Sequence, residues 1–279
     1  MDEPGADGKG TDGKGRRALL RALTVGGASA VAGVAMGAAI DDADASTRIP
    51  SSAPGTPPGA HWRPPAGHVD VFWAVNTQQK VVALTFDDGP LPNYTPLVHD
   101  ALDEAKIPAT FFLVGKRVEQ HARLLHGRMD RHEVGNHTWA HTNLSPLSLG
   151  TAYRSVKRAH EMIVGVTGKE PRLLRPPWGQ LGGTTLQVAG RLGYDVALWS
   201  LLITDRSHPH DPKGLIDFVV DSALPGSIVL GHDAGGGRSR LTLARALPEM
   251  IKRLKTKGFE FVTVSDLIAA KAAPASQGT

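Results

Sequence analysis

The ten residues Val81-Val82-Ala83-Leu84-Thr85-Phe86-Asp87-Asp88-Gly89-Pro90 (VVALTFDDGP) pass directly from an apolar run into two carboxylates and a turn. A strand that is apolar on both faces belongs in a parallel sheet covered by helices. Parallel barrels keep their chemistry at the C-terminal ends of such strands. Adjacent carboxylates on extended backbone point in different directions, so one can hold a metal while the other faces a substrate as a base. Asp-Asp-Gly-Pro is also ordinary turn chemistry, and on its own it does not decide between the two roles.

The same grammar recurs outward from this stretch. Further strands are expected at Ala109–Val114, Arg172–Leu174, Val196–Ile203, Ser227–Gly231 and Phe259–Val264. Helical spacing of apolar residues separates them, as in Leu97, Val98, Ala101, Leu102 and Ala105, and in Leu247, Met250, Ile251 and Leu254. Three more strands run into polar groups: Leu174 into Arg175-Pro176-Pro177-Trp178-Gly179, Ile203 into Thr204-Asp205, and Gly231 into His232-Asp233. The expected fold is α/β, a parallel sheet covered by helices, and polar groups at the ends of several parallel strands would converge on one mouth in a barrel. Core packing alone gives no reason for polar residues to collect at the strand ends.

Between these strands lies Asn136-His137-Thr138-Trp139-Ala140-His141. His-x-x-x-His would set both imidazoles on one side of a single helical turn, close enough to share an ion, although paired surface histidines are common in a chain with twelve. With an aspartate they make a two-histidine, one-carboxylate site, used by zinc hydrolases and by non-haem iron oxygenases. A second candidate base beside the first carboxylate favours hydrolysis. His232 at a strand end is a natural general acid, or else a loop histidine bound to Asp233.

Composition narrows the choice. The 279 residues contain no cysteine, which excludes disulfides, thiolate metal sites and cysteine nucleophiles. The formal net charge is +4, and residues 1–45 hold more acids than bases, so the remainder is mildly basic. That suits an anionic wall polymer, but the charge forms no runs, and no nucleic-acid partner is expected. The glycines of Ala234–Arg238 lack the Lys-Ser/Thr of a nucleotide loop. His208, His210 and Asp211 read as a solvated loop, and His99, His121, His126, His132 and His160 are expected at the surface.

Residues 1–45 read as an export signal: Arg16 and Arg17 precede a charge-free Ala/Gly/Val stretch and a small-x-small site at Ala43-Asp44-Ala45. A retained membrane anchor is the alternative. Residues 46–67, rich in Pro, Ser and Gly, form a linker. The catalytic domain is expected over 68–271, with a short tail over 272–279. The expected location is outside the cytoplasm, secreted or wall-associated or else membrane-anchored, and a monomer is expected.

The set TFDDGP, HTWAH, RPPWG and LGHD, in this order over about 150 residues, resembles the carbohydrate esterase family 4 polysaccharide deacetylases. The similarity extends over Val69–Ile268, with flanking text such as ATFFLVG and FEFVTVSDL. The resemblance implies a distorted (β/α) barrel of parallel strands with outer helices, forming a single catalytic domain, and a single divalent metal, zinc or a substitute such as cobalt, held by Asp88, His137 and His141. It implies Asp87 as general base toward a metal-activated water, Arg175 as the arginine pairing that base, and His232 as the acid that protonates the departing amine. The backbone N–H of Trp178, after Pro177, would hold the oxyanion, and Leu230 would line the pocket for the acetyl methyl group. The implied substrate is an N-acetylglucosamine polysaccharide of peptidoglycan or chitin type.

One motif departs from the family. Where it usually reads Trp-Ser-Val-Asp-x-x-Asp-Trp, this chain has Trp199-Ser200-Leu201-Leu202-Ile203-Thr204-Asp205-Arg206. Asp205 keeps the place of the acid that tunes the catalytic histidine, but Leu202 replaces an acid and Arg206 a tryptophan. A cationic Arg206 would favour a substrate bearing a carboxylate. The change also leaves two rival readings: a wall-binding protein with impaired turnover, and an O-acetyl esterase of the same family.

Overall fold

The computed structural model describes residues 67–203, 208, 211–235 and 239–270. The expected export signal, all of the linker but Gly67, the tail, and Asp205, Arg206 and His210 lie outside the described residues.

In chain order the elements are β1 (Val71–Phe72), β2 (Val81–Asp87), α1 (Thr95–Ala105), β3 (Thr110–Leu113), α2 (Gly115–His121), β4 (Glu133–Asn136), α3 (Leu149–Thr167), β5 (Leu173–Leu174), α4 (Gly183–Leu192), β6 (Asp195–Ala197), β7 (Leu201–Leu202), α5 (Pro212–Ser222), β8 (Ser227–His232), α6 (Ser239–Thr256), β9 (Glu260–Phe261) and α7 (Val264–Ala270). The strands form one sheet in the order β1-β6-β5-β4-β3-β2-β8-β7, with β9 paired to the start of β2, and all of these pairings are parallel. β6 lies against β5, and after Leu198–Ser200 the same stretch continues as β7 against β8. One length of chain thereby joins both ends of the sheet, so the expected barrel of parallel strands and outer helices is the fold found.

Strand alternation explains what each face carries. On β2, Val82, Leu84 and Phe86 pack outward with Val98 and Leu102 of α1 and Leu243, Leu247 and Met250 of α6. Val81 and Ala83 face inward with Phe112, Leu173, Ala197 and Ile228. Continuing by twos along the inner face reaches Thr85 and Asp87 on β2, Arg175 after β5, and Leu230 and His232 on β8. The barrel's lower interior is therefore apolar, and its upper end is polar. Val264 and Leu267 of α7 join the inner cluster and close the lower end.

The helices follow their spacing. α3 buries Ala152, Val156, Ala159 and Ile163, begins under the Ser148 side chain, and ends at Gly168 with φ +69°. The expected strand Phe259–Val264 stops at Phe261, because Thr263 and Asp266 cap each other across the start of α7 (Asp266 N to Thr263 Oγ1, 3.1 Å; Thr263 Oγ1 to Asp266 Oδ2, 2.7 Å). The expectation that five histidines lie at the surface fails for two of them. His99 and His132 are buried around Phe111 on the outer face of the sheet.

Candidate active site

Three strand ends bring the candidate residues together. Asp87 is the last residue of β2 and sits in register with His232, the last residue of β8. Arg175 follows β5 and is fully buried. Its guanidinium donates from Nη1 to Asp87 Oδ1 (2.7 Å) and Thr85 Oγ1 (2.8 Å), from Nε to the Ala197 carbonyl (2.9 Å), and from Nη2 to the Leu198 carbonyl (2.8 Å). It also lies 3.9 Å above the centre of the Phe112 ring. A planar cation with donors in a fixed fork is the one side chain that can meet all these acceptors at once. The result is an Asp87 carboxylate with one oxygen tied down and the other, Oδ2, 3.7 Å from His137 Nε2.

Asp88 turns the opposite way. Its φ of +80° is a left-handed conformation, and Thr138, His141 and Trp178 share that region at +69°, +52° and +57°. Among the described residues Lys106 is the fifth non-glycine with positive φ, and it is a helix C-cap; the other four surround the site. Backbone held in this region costs about 1–3 kcal/mol per residue and persists where its surroundings fix it. For Asp88, Arg117 Nη1 donates to the main-chain carbonyl at 2.6 Å.

His137 and His141 are not on a helix. They flank a turn after β4, which corrects the helical reading of His-x-x-x-His. Asn136 sets that turn: its Oδ1 accepts from Thr138 N (2.9 Å), while its amide donates to the Val156 carbonyl (2.9 Å) and Tyr194 Oη (3.0 Å). The turn still brings the two rings to 4.9 Å, centre to centre. His137 Nδ1 lies 2.6 Å from the Arg175 carbonyl, which can only accept, so Nδ1 carries the proton and Nε2 presents a lone pair. Burial pushes this imidazole down to about 3, which keeps it neutral.

Asp88 Oδ1, His137 Nε2 and His141 Nε2 converge within 4.8 Å of one another. Asp88 Oδ1 lies 3.1 Å from His141 Nε2 and 3.7 Å from His137 Nε2, yet it is buried without a hydrogen-bond donor. A carboxylate oxygen and imidazole nitrogens gathered in this way fit a divalent cation of the kind bound by nitrogen and oxygen ligands.

The remaining expected residues fall around this cluster. Trp178 is in a 3-10 turn at Pro177–Gly179, 62% exposed, with its ring edge-on to His141 at 4.5 Å. Pro177 is buried beneath it. Leu230 is buried on β8, two residues before His232. Asp211, read as part of a loop, instead caps α5 by accepting from Gly214 N at 2.9 Å. Four residues that the sequence reading does not count among the site residues support the site: Thr85, Arg117, Asn136 and Asp233. Thr85 could have been found as the inward residue two before Asp87. The sequence offers Asp233 only as a partner of His232, whereas its carboxylate accepts from Gly89 N (3.1 Å) and Thr95 Oγ1 (2.6 Å). Burial, opposed by the Thr95 bond and reinforced by the charge of Asp88, pushes it up to about 7.

Fold and site together define a barrel enzyme of the hydrolase class, with a carboxylate–imidazole centre at the C-terminal mouth. The chain belongs to the carbohydrate esterase family 4 polysaccharide deacetylases: residues 74–197 match the family model described as polysaccharide deacetylase. It is 39% identical to a peptidoglycan-N-acetylglucosamine deacetylase of Bacillus cereus over 74% of this chain and 96% of that protein. It is also 37% identical to the peptidoglycan-N-acetylmuramic acid deacetylase PdaC of Bacillus subtilis, over 71% of this chain and 40% of that longer protein. Among solved structures, the Bc1960 peptidoglycan N-acetylglucosamine deacetylase superposes with a TM-score of 0.66 at 30% identity, covering 71% of this chain and 92% of that one.

Proposed function

We propose that this protein removes acetyl groups from the N-acetylated sugars of peptidoglycan by metal-dependent hydrolysis. The observation that carries the reading is the pairing of two differently held carboxylates. Asp88 is left without a donor beside two imidazoles, and Asp87 is clamped by Arg175 next to them. A divalent metal bound by Asp88, His137 and His141, with zinc the best match to this ligand set, would polarise the acetamide carbonyl and acidify water.

The chain's own residues supply the rest. Asp87 takes the proton of the attacking water, its orientation fixed by Arg175. The backbone N–H of Trp178 donates to the oxyanion that develops on the carbonyl. His232, beside Asp87 across the β2–β8 ladder, gives a proton to the departing amine, aided by Asp205. Leu230 lines the methyl pocket, and the exposed Trp178 ring offers an apolar face to the sugar above the site. Acetate and a free amine are the products. A wall substrate accords with an exported protein whose domain, beginning near residue 68, follows a signal or anchor and a Pro-rich linker. Among the described residues no helix is long and apolar enough to cross a membrane.

The test is acetate release from peptidoglycan, N-acetylglucosamine oligomers and acetylxylan by wild type and Asp87→Asn. Loss of release in Asp87→Asn with zinc content unchanged supports the base assignment. Equal release by both proteins removes it, and release from acetylxylan alone redirects the reading to O-acetyl esters.

A further inference from the structure

The Asp233 carboxylate is completely buried, and among the described residues no cation pairs with it. It occupies the space beneath the Asp87–Gly89 turn. A Cβ on Gly89 would come within 2.5 Å of both its oxygens, so the turn closes directly onto the carboxylate. Oδ1 accepts from Gly89 N, and Oδ2 accepts from Thr95 Oγ1, which itself accepts from Leu91 N at 2.8 Å. The Asp233 main chain continues the strand pairing by donating to the Asp87 carbonyl at 3.2 Å. A single residue thus ties together the strand end carrying His232, the turn carrying Asp87 and Asp88, and the first residue of α1.

A simple turn could satisfy one N–H and one hydroxyl with a neutral acceptor, at less desolvation cost than a buried carboxylate. Placement gives the carboxylate a use. Asp88 must hold φ +80° for its side chain to reach the two imidazoles, and an aspartate leaves that conformation unless its neighbours hold it. Arg117 holds the Asp88 carbonyl, and Asp233 holds the next residue's N–H. The peptide unit between Asp88 and Gly89 is therefore gripped at both ends.

We propose that Asp233, acting with Thr95, is a positioning residue for the metal centre, locking the Asp88–Gly89 turn so that the Asp88 carboxylate meets His137 and His141. The proposal rests on reading those three residues as metal ligands. Partners standing behind metal ligands typically change affinity by about 10–100-fold when removed.

The experiment measures zinc affinity by competition with a chromophoric chelator, and the visible spectrum of the cobalt-loaded protein, for wild type, Asp233→Ala, Thr95→Val and Thr95→Ser. Far-UV circular dichroism of each metal-free protein checks the fold. The expected result is a loss of about 10–100-fold in zinc affinity and an altered cobalt spectrum for Asp233→Ala and Thr95→Val, with Thr95→Ser close to wild type because it keeps the hydroxyl. Should Asp233→Ala fail to fold, Thr95→Val decides alone. Unchanged affinity and spectrum in folded Thr95→Val and Asp233→Ala would overturn the proposal while leaving the metal site standing. Failure of wild type itself to bind zinc sinks the metal reading, and the positioning role with it.

Discussion

Replacing Arg175 with Met removes the buried guanidinium but keeps a side chain of similar length against Phe112. Four acceptors lose their donor: Asp87 Oδ1, Thr85 Oγ1 and the carbonyls of Ala197 and Leu198. Stranding one member of a buried ion pair costs about 3–5 kcal/mol. Each orphaned buried carbonyl adds roughly 1–3 kcal/mol where water cannot replace the donor. These losses overlap, so the lower figure of about 3 kcal/mol is the firm expectation, a large part of the ~5–15 kcal/mol that stabilises a typical domain. In a domain of this size about 3 kcal/mol lowers Tm by roughly 6–12 °C. Urea denaturation of the metal-free protein at neutral pH measures the loss. The double variant Arg175→Met/Asp87→Asn removes the stranded charge as well, and it should recover about 2 kcal/mol relative to Arg175→Met alone. A single variant within about 1 kcal/mol of wild type, or a double variant no more stable than it, would refute the view that Arg175 exists to hold a buried Asp87 charge.

Three further outcomes follow from the same structure. Burial lowers His99 and His132 to about 4 from an ordinary 6.5, so the unfolded chain takes up their protons first as the pH falls. Their stabilising share is complete above 6.5 and drains away toward 4, at up to ~1.4 kcal/mol per pH unit each; urea midpoints at pH 7, 6 and 5 should fall less steeply in His99→Leu, and parallel slopes would count against it. Asn136→Ala leaves the Thr138 N–H without its acceptor and removes the amide that donates to the Val156 carbonyl and Tyr194 Oη, and should cost about 1–3 kcal/mol together with weaker zinc binding, read by denaturation and chelator competition. Trp178→Ala, at an exposed site, should leave stability within about 0.5 kcal/mol while raising KM for oligomeric substrate; a large drop in Tm with unchanged KM would reverse its assignment.

Most of the residues gathered at the barrel mouth are legible because they lie at strand ends in short, distinctive motifs. The ion pair of Arg175 with Asp87 and the meeting of Asp88, His137 and His141 follow that reading. What stayed hidden depends on tertiary partners. The strand Glu133–Asn136 has one large apolar residue, and its Gly135 leaves the space that the Phe112 ring fills, a fit no local pattern announces. The expected strand Val196–Ile203 is broken because its backbone exchanges β5 for β8 as partner, and alternation is blind to such an exchange. His-x-x-x-His has helical spacing, but Asn136 captures the Thr138 N–H and folds the segment into a turn. His99 lies three residues before the buried Leu102, so helical spacing marked it for the core, and its polar character concealed this.

On the proposed mechanism, a metal held by Asp88, His137 and His141 is required to hydrolyse an N-acetyl group of peptidoglycan. The most direct measurement is acetate release from purified peptidoglycan by the full chain, before chelation, after chelation, and after return of one equivalent of zinc. Release should vanish on chelation, return with zinc, and stay absent in Asp88→Ala under every condition. Undiminished release from the stripped protein, or full activity in Asp88→Ala, would contradict that mechanism.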